Sequence, residues 1–277
     1  MEINKKIELV RNNLLALKKT AVAFSGGKDS FFLLKTAVET LSKENVTAFF
    51  VQTDLLCEND EKRVDYFTKL LDFNLKRIFI DVTGEKKIMS NPVDRCYFCK
   101  KKIFSTLRKE AAAIGIEHVL DGTTYSDLDE YRPGLKAIEE LKILSPLKEA
   151  QLTSAEVVAS LRNLPGIEAY FLTSSTCLAT RFPYDYRLTK DILKKFADLE
   201  VYFVEAGIYP VKIRFIEAGI RIETEEKNFE KVLEKKNEIV DICKKKGLKF
   251  ITLDIEGLKS GAWDPIRAES GDGFGKS

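Results

Sequence analysis

Between residues 20 and 122 short apolar runs alternate with amphipathic stretches, and this alternation constrains the fold more than any other feature of the chain. Ile3, Ile7, Val10, Leu14 and Leu15 recur at helical spacing over 3–18. Thr20–Phe24 reads as a short buried strand that stops at Ser25-Gly26-Gly27, and Asp29-Ser30 opens a helix carrying Phe31, Leu33, Leu34 and Val38. The pattern repeats with a strand over Val46–Val51, a helix over Asn59–Leu71, a strand over Lys76–Asp81, a helix over Cys96–Ile114 and a strand over His118–Leu120. Strands and helices in this order predict βαβ units, hence an α/β domain with a mostly parallel sheet.

After about residue 185 the order becomes αββαβ. Leu188–Ala206 is a helix, Val211–Phe215 and Ile220–Glu223 form a hairpin, Lys227–Lys246 is a helix and Lys249–Leu253 a strand. This predicts a smaller C-terminal α+β domain with an antiparallel sheet. The expected organisation is 1–184, 185–265 and a polar tail over 266–277.

Charge narrows the classes of partner. The 277 residues hold 45 Lys+Arg against 43 Asp+Glu, a net charge of +2, which excludes a chain held to nucleic acid by bulk charge. No apolar stretch approaches the roughly 18 residues that span a bilayer, and the opening Met-Glu-Ile-Asn-Lys-Lys lacks a signal-peptide core, so the expectation is a cytoplasmic protein without membrane contact. In a reducing compartment the five cysteines are expected as ligands, nucleophiles or core residues rather than disulfides.

Ser25-Gly-Gly-Lys-Asp-Ser30 lies between the first strand and its helix. Two glycines permit a close backbone approach, while two hydroxyls and a helix N-terminus suit an anion. A capped βα turn is the plain alternative. The segment resembles the PP-loop of the N-type ATP pyrophosphatases. The resemblance implies that Ser25, Gly26, Gly27, Asp29 and Ser30 hold the pyrophosphate side of ATP, with Mg2+ to neutralise it.

Two longer motifs narrow the resemblance. One runs from Asp121-Gly-Thr to Tyr131-Arg-Pro-Gly134 and contains Asp127, Asp129 and Arg132; the other is Cys177-Leu-Ala-Thr-Arg-Phe-Pro-Tyr184. Together they resemble the LarE family of sulfur transferases, which act in nickel-pincer nucleotide biosynthesis. The resemblance implies adenylation of the carboxylates of pyridinium-3,5-biscarboxylic acid mononucleotide and their conversion to thiocarboxylates. It assigns Asp127, Asp129 and Arg132 to nucleotide binding, and Cys177, Arg181 and Glu200 to catalysis. Lys212 and Arg214 match the basic pair that takes the substrate phosphate. By period two alone that pair reads as the wet face of the hairpin.

Cys96-Tyr-Phe-Cys99 departs from the form of the family in which one cysteine, at the position of Cys177, gives up its own sulfur. Three cysteines, two of them in CxxC, suit three irons of a [4Fe-4S] cluster with the fourth open to inorganic sulfide. This matches the cluster-dependent LarE subgroup, and makes Cys96, Cys99 and Cys177 the expected metal ligands. A structural zinc lacks a fourth ligand, since the sole histidine, His118, is placed to pack. A redox CxxC needs no Cys177. Cys57 and Cys243 stand outside both motifs, and Cys243 reads as core. The competing activities are a tRNA thiolase, which needs a basic surface not visible here, an amide-forming synthetase, and an ATP-binding module without catalysis. The expected partners are a small nucleotide and sulfide, no nucleic acid, and further copies of the chain in a homo-oligomer, as the family tends to form.

Overall fold

The computed structural model describes residues 2–129, 132–164 and 176–258. Ser174, Ser175, Tyr131 and the 266–277 tail lie outside the described residues. By their contacts the residues form two units, Met1–Ile88 with Val93–Ser175, and Met89–Pro92 with Thr176–Ser277.

The first unit begins with α1 (Ile3–Leu17), β1 (Thr20–Ala23), α2 (Lys28–Leu41), β2 (Val46–Gln52), α3 (Glu58–Leu70) and β3 (Asn74–Phe79). A single turn, α4 (Lys86–Met89), precedes α5 (Arg95–Ala113) and β4 (His118–Leu120). Three short helices absent from the sequence reading follow: α6 (Gly134–Glu140), α7 (Pro146–Glu149) and α8 (Ser154–Leu161). The strands pair in the order β3-β2-β1-β4, all parallel, as the βαβ alternation requires. Chain direction across the sheet reverses between β1 and β4, so the loops leaving their C-terminal ends flank the crevice where open α/β sheets hold ligands.

The strands are apolar because both faces of this sheet are covered. Val22, Phe24, Phe50, Phe31, Val64 and Phe67 are buried in one core. Phe31 of α2 stacks on Phe67 of α3 at 4.0 Å between ring centres, and Phe24 meets Phe67 edge-on at 5.9 Å. These rings fix α2, and so the loop before it, against the sheet.

The second unit holds α9 (Lys190–Glu205), β5 (Val211–Ile216), β6 (Gly219–Thr224), α10 (Phe229–Glu234), α11 (Lys236–Lys245) and β7 (Phe250–Leu253). Thr189 caps α9, accepting from the Ile192 amide at 3.2 Å. The sheet is mixed rather than antiparallel: β5 and β6 form the expected hairpin, but β7 pairs with β6 in parallel. The connection through α10 and α11 brings the chain back to the same end of the sheet, which is what parallel pairing needs. The helix expected over 227–246 is broken at Lys235. Cys243 is wholly buried on α11, as expected of a small core residue. Among the described residues no helix is long and apolar enough to cross a membrane.

Phe67 is 1% exposed and packs against three aromatic rings. Phe67→Ala is expected to lower the unfolding free energy by about 3–5 kcal/mol, measured by urea titration. A loss below about 1 kcal/mol would show that this cluster does not set the packing of α2 and α3.

Candidate active site

The sharp turn after β1 uses positive φ at Gly26 (75°). Ser25 and Ser30 then tie the loop to itself: their hydroxyls lie 3.1 Å apart, Ser30 Oγ accepts from the Ser25 amide at 3.2 Å, and it donates to the Gly27 carbonyl at 3.0 Å. Gly27 is the N-cap of α2 and offers no side-chain acceptor, so the first amides of the helix lack a local cap. Such a helix start favours an anion.

The loop leaving β4 approaches closely. A Cβ on Gly122 would lie 2.7 Å from the Ser30 backbone nitrogen and 2.8 Å from its Cα, so only glycine fits. Asp121, beside it, is buried and accepts from Ser145 Oγ at 2.6 Å and Thr123 Oγ1 at 2.5 Å. The Asp-Gly-Thr motif thus shapes the crevice through its backbone, a role the sequence reading did not assign.

Asp127 is also committed. Its Oδ2 accepts from the Thr124 amide at 2.7 Å and the Thr124 hydroxyl at 3.1 Å, closing a capping box on the 3-10 turn Tyr125–Leu128, and its Oδ1 pairs with Arg132 at 2.7 Å. Asp129 is exposed. Burial holds the Asp29 carboxyl above the usual carboxylate range, opposed by Lys28 and reinforced by the charge of Asp127.

Cys96 and Cys99 occupy the first turns of α5, three residues apart and therefore on one helix face. Neither is in a disulfide. Cys96 is exposed, and the buried Arg95 donates to its sulfur at 3.5 Å. The intervening Tyr97 fastens this turn to α6: its hydroxyl donates to Glu140 at 2.9 Å and accepts from Lys101 at 2.9 Å.

In the second unit the Cys-Leu-Ala-Thr-Arg-Phe-Pro-Tyr motif begins with Cys177 as the residue before a 3-10 turn, Leu178–Arg181. Phe182 anchors the turn in an aromatic core, 4.7 Å from Phe196 and 5.8 Å from Phe215 between ring centres. Asn91, from the Met89–Pro92 segment, donates to the Pro183 carbonyl at 2.7 Å. Arg181, 3% exposed, forms a two-pronged pair with Glu200: Nε to Oε1 at 2.5 Å and Nη2 to Oε2 at 3.0 Å. It also donates to the Thr176 hydroxyl at 2.6 Å. Glu200 Oε1 in turn accepts from the Ile213 amide at 3.0 Å, which fixes β5 against α9.

Lys212 and Arg214 are not on a wet face. Both are buried, because the 3-10 turn and α9 cover the side of the hairpin that period two alone would leave in water. Arg214 is answered by Glu223 at 3.0 Å and by the Thr180 carbonyl at 2.5 Å. Glu223, to which the sequence reading gave no role, also takes Arg221 at 2.8 Å. Lys212 has no such partner among the described residues. Burial pushes its ammonium down to about 8, the neighbouring charges of Arg214 and Arg181 push the same way, and Glu223 and Glu200 oppose them only in part. An anion would relieve all three cations.

The sequence comparisons agree with this geometry. The chain is 33% identical over 245 residues to the pyridinium-3,5-bisthiocarboxylic acid mononucleotide synthase of Lactiplantibacillus plantarum, covering 88% of each chain. This chain belongs to the LarE family. LarE membership makes it an enzyme of the sulfurtransferase class. Two uncharacterized relatives span nearly the whole chain: one from Synechocystis, 30% identical over 94% of this chain and 97% of its own, and one from Methanocaldococcus jannaschii, 32% identical over 92% and 98%. A GMP synthase of Borrelia garinii is 31% identical over 155 residues, 48% of this chain and 28% of its own, in keeping with a PP-loop domain. No family model matches the chain.

A buried lysine titrating near 8 instead of 10.5 makes the folded protein bind fewer protons than the unfolded one between those values. Stability therefore rises with pH across that window. Lys212→Met is expected to raise the melting temperature of the ligand-free protein at pH 7, with the advantage shrinking from about pH 8 upwards. A lower melting temperature at pH 7 would contradict a net cost of burying this ammonium.

Proposed function

We propose that the chain is an ATP-dependent sulfur transferase acting on pyridinium-3,5-biscarboxylic acid mononucleotide. The observation that carries this reading is the buried cation group Arg181, Lys212 and Arg214, in which the two arginines are paired and held by Glu200 and Glu223 while Lys212 makes no direct ion pair with either carboxylate. A substrate phosphate supplies the missing anion. The name of the Lactiplantibacillus relative, a synthase of the bisthiocarboxylic mononucleotide, supports the substrate.

The residues divide the work. The Ser25–Ser30 loop and the start of α2 take the pyrophosphate of ATP, with Mg2+ offsetting the charge. Gly122 keeps the neighbouring backbone close to that loop, and Arg132 and Asp127 brace the next turn; Asp129 stays a candidate for nucleotide contact. A substrate carboxylate oxygen then attacks the α-phosphorus, and the bond to the departing pyrophosphate breaks. A sulfur nucleophile attacks the resulting acyl carbon, and AMP leaves with the carboxylate oxygen. Arg181, oriented by Glu200, stands in the loop of Cys177 to offset the charge that develops in that step.

A [4Fe-4S] cluster suits the donor chemistry: soft thiols, none of them in a disulfide, two on one helical face. Among the described residues no group of three or more Cys, His, Asp or Glu is assembled as a metal site. The ligand pair Cys96–Cys99 belongs to the first unit and Cys177 to the second. The cluster would supply an iron open to inorganic sulfide, so that sulfur is replenished from solution. Cytoplasmic location and homo-oligomeric assembly complete the reading.

Four measurements test it. With substrate and ATP the nucleotide products are AMP and pyrophosphate, and Asp29→Ala slows their release; ADP and phosphate would overturn the assignment. Protein reconstituted without oxygen is expected to hold about four irons per chain. Cys96→Ala, Cys99→Ala or Cys177→Ala should each cut that content sharply, whereas Cys57→Ala and Cys243→Ala should not. Added sulfide should then support repeated turnover with an unchanged polypeptide mass. Conversion of Cys177 to dehydroalanine after one turnover would restore the sacrificial route, and a gel shift with total tRNA would favour the tRNA thiolase.

A further inference from the structure

One side of α5 carries Phe98, Lys102, Ser105 and Lys109 at i, i+4, i+7 and i+11, a single stripe that contains neither Cys96 nor Cys99. This stripe and two residues of α4, Lys87 and Ile88, line a cavity of about 440 Å3, a size that suits a small-molecule ligand. Every lining residue belongs to the first unit, and none has a part in the reading of ATP, substrate or metal given above. The apolar part of the lining is the buried Ile88 and the half-buried Phe98 ring.

The charge around this cavity is one-sided. Lys87, Lys101, Lys102 and Lys109 line it against a single carboxylate, Glu85. Composition does not account for the excess, since the whole chain holds 45 Lys+Arg and 43 Asp+Glu. Glu85 is taken by Lys102 at 2.5 Å, and Lys101 pairs with Glu140 at 2.8 Å. Among the described residues no carboxylate lies at ion-pair distance from Lys87 or Lys109. The Lys87 ammonium instead stands over the Phe98 ring, 4.8 Å from its centre. Ser105 adds a hydroxyl without a hydrogen-bond partner among the described residues. A cleft lined by one sign of charge focuses its field and concentrates ions of the opposite sign.

We propose that the cavity between α4 and α5 binds a small phosphorylated molecule with an apolar or aromatic body, at a site separate from the residues given to ATP and substrate. The lining contains no arginine, so it lacks the planar fork that grips a carboxylate with two prongs. Ammonium groups are point charges on flexible stems and, with a hydroxyl donor, suit the clustered oxygens of a phosphate. Lys87 and Lys109 supply the charge, Ser105 a hydrogen bond, and Phe98 with Ile88 a surface for the body of the ligand. An enclosed volume of this size favours a small molecule over an extended polyanion.

Lysine footprinting of the full chain tests this, with phenyl phosphate as the probe and brief acetylation read by mass spectrometry. Phenyl phosphate is expected to shield Lys87, Lys102 and Lys109, and the concentration that half-shields Lys102 measures the affinity of this cavity alone. In a variant carrying Lys87→Gln and Lys109→Gln that concentration should rise about ten- to a hundredfold, the span of a charge-assisted hydrogen bond. Both altered side chains are exposed, so the variant should keep the fold of the unaltered protein. Inorganic phosphate, which has no apolar body, should need a higher concentration than phenyl phosphate; equal concentrations would overturn the assigned class of ligand. Shielding confined to Lys28 and Lys212 would place the phosphate in the sites already described. An unchanged half-shielding concentration in the double variant would return the cavity to a solvated lysine face, and shielding by total tRNA but not by phenyl phosphate would make it a nucleic-acid surface. Each of these three results overturns the proposal.

Discussion

Taking a cation out of water costs several kcal/mol unless an anion answers it, and both units are organised around that constraint. In the second unit Glu200 answers Arg181 and Glu223 answers Arg214, each at hydrogen-bond distance. These pairs also hold the scaffold: Glu200 reaches the Ile213 amide, and Arg214 reaches the carbonyl of Thr180 in the loop of Cys177. Removing either carboxylate would leave a buried guanidinium uncompensated and loosen the strand or turn it fixes. Lys212 shares the field of Glu223 and Glu200 with both arginines and has no ion pair of its own among the described residues, so it is the least compensated cation of the group.

In the first unit the charge of Lys28, the first residue of α2, is answered by Asp29 at 2.6 Å. The backbone amides at the same helix start have no side-chain cap. That arrangement depends on the packing beneath it. Phe31 and Phe67 seat α2 on the sheet, and Gly122 lets the loop after β4 lie against the backbone of Ser30. The chemistry at the crevice is thus set by steric and aromatic contacts that carry no charge themselves.

What could be read from the residues followed from local periodicity. The strand–loop–helix order around Ser25–Ser30 was legible because a short continuous apolar run gives way, past the glycines, to apolar residues at helical spacing. Cys96 and Cys99 were legible as a pair because CxxC on a helix needs no distant partner. What escaped were long-range facts. Nothing local says that Ser154 meets Lys28, 126 residues earlier, or that β7 returns parallel to β6. Lys212 and Arg214 were visible as a pair, yet period two alone placed them in water, since the cover over β5 comes from other segments. Asp127 read as a ligand group, and its carboxylate proves to be taken up in a capping box and a pair with Arg132.

The central claim is that a substrate carboxylate is activated by adenylation before sulfur enters. Substrate labelled with oxygen-18 in its carboxylates tests this directly. If the carboxylate attacks the α-phosphorus and sulfur then displaces AMP at the acyl carbon, each thiocarboxylate formed leaves one labelled oxygen in AMP, seen by mass spectrometry. AMP free of label, or label recovered in pyrophosphate, would contradict the account.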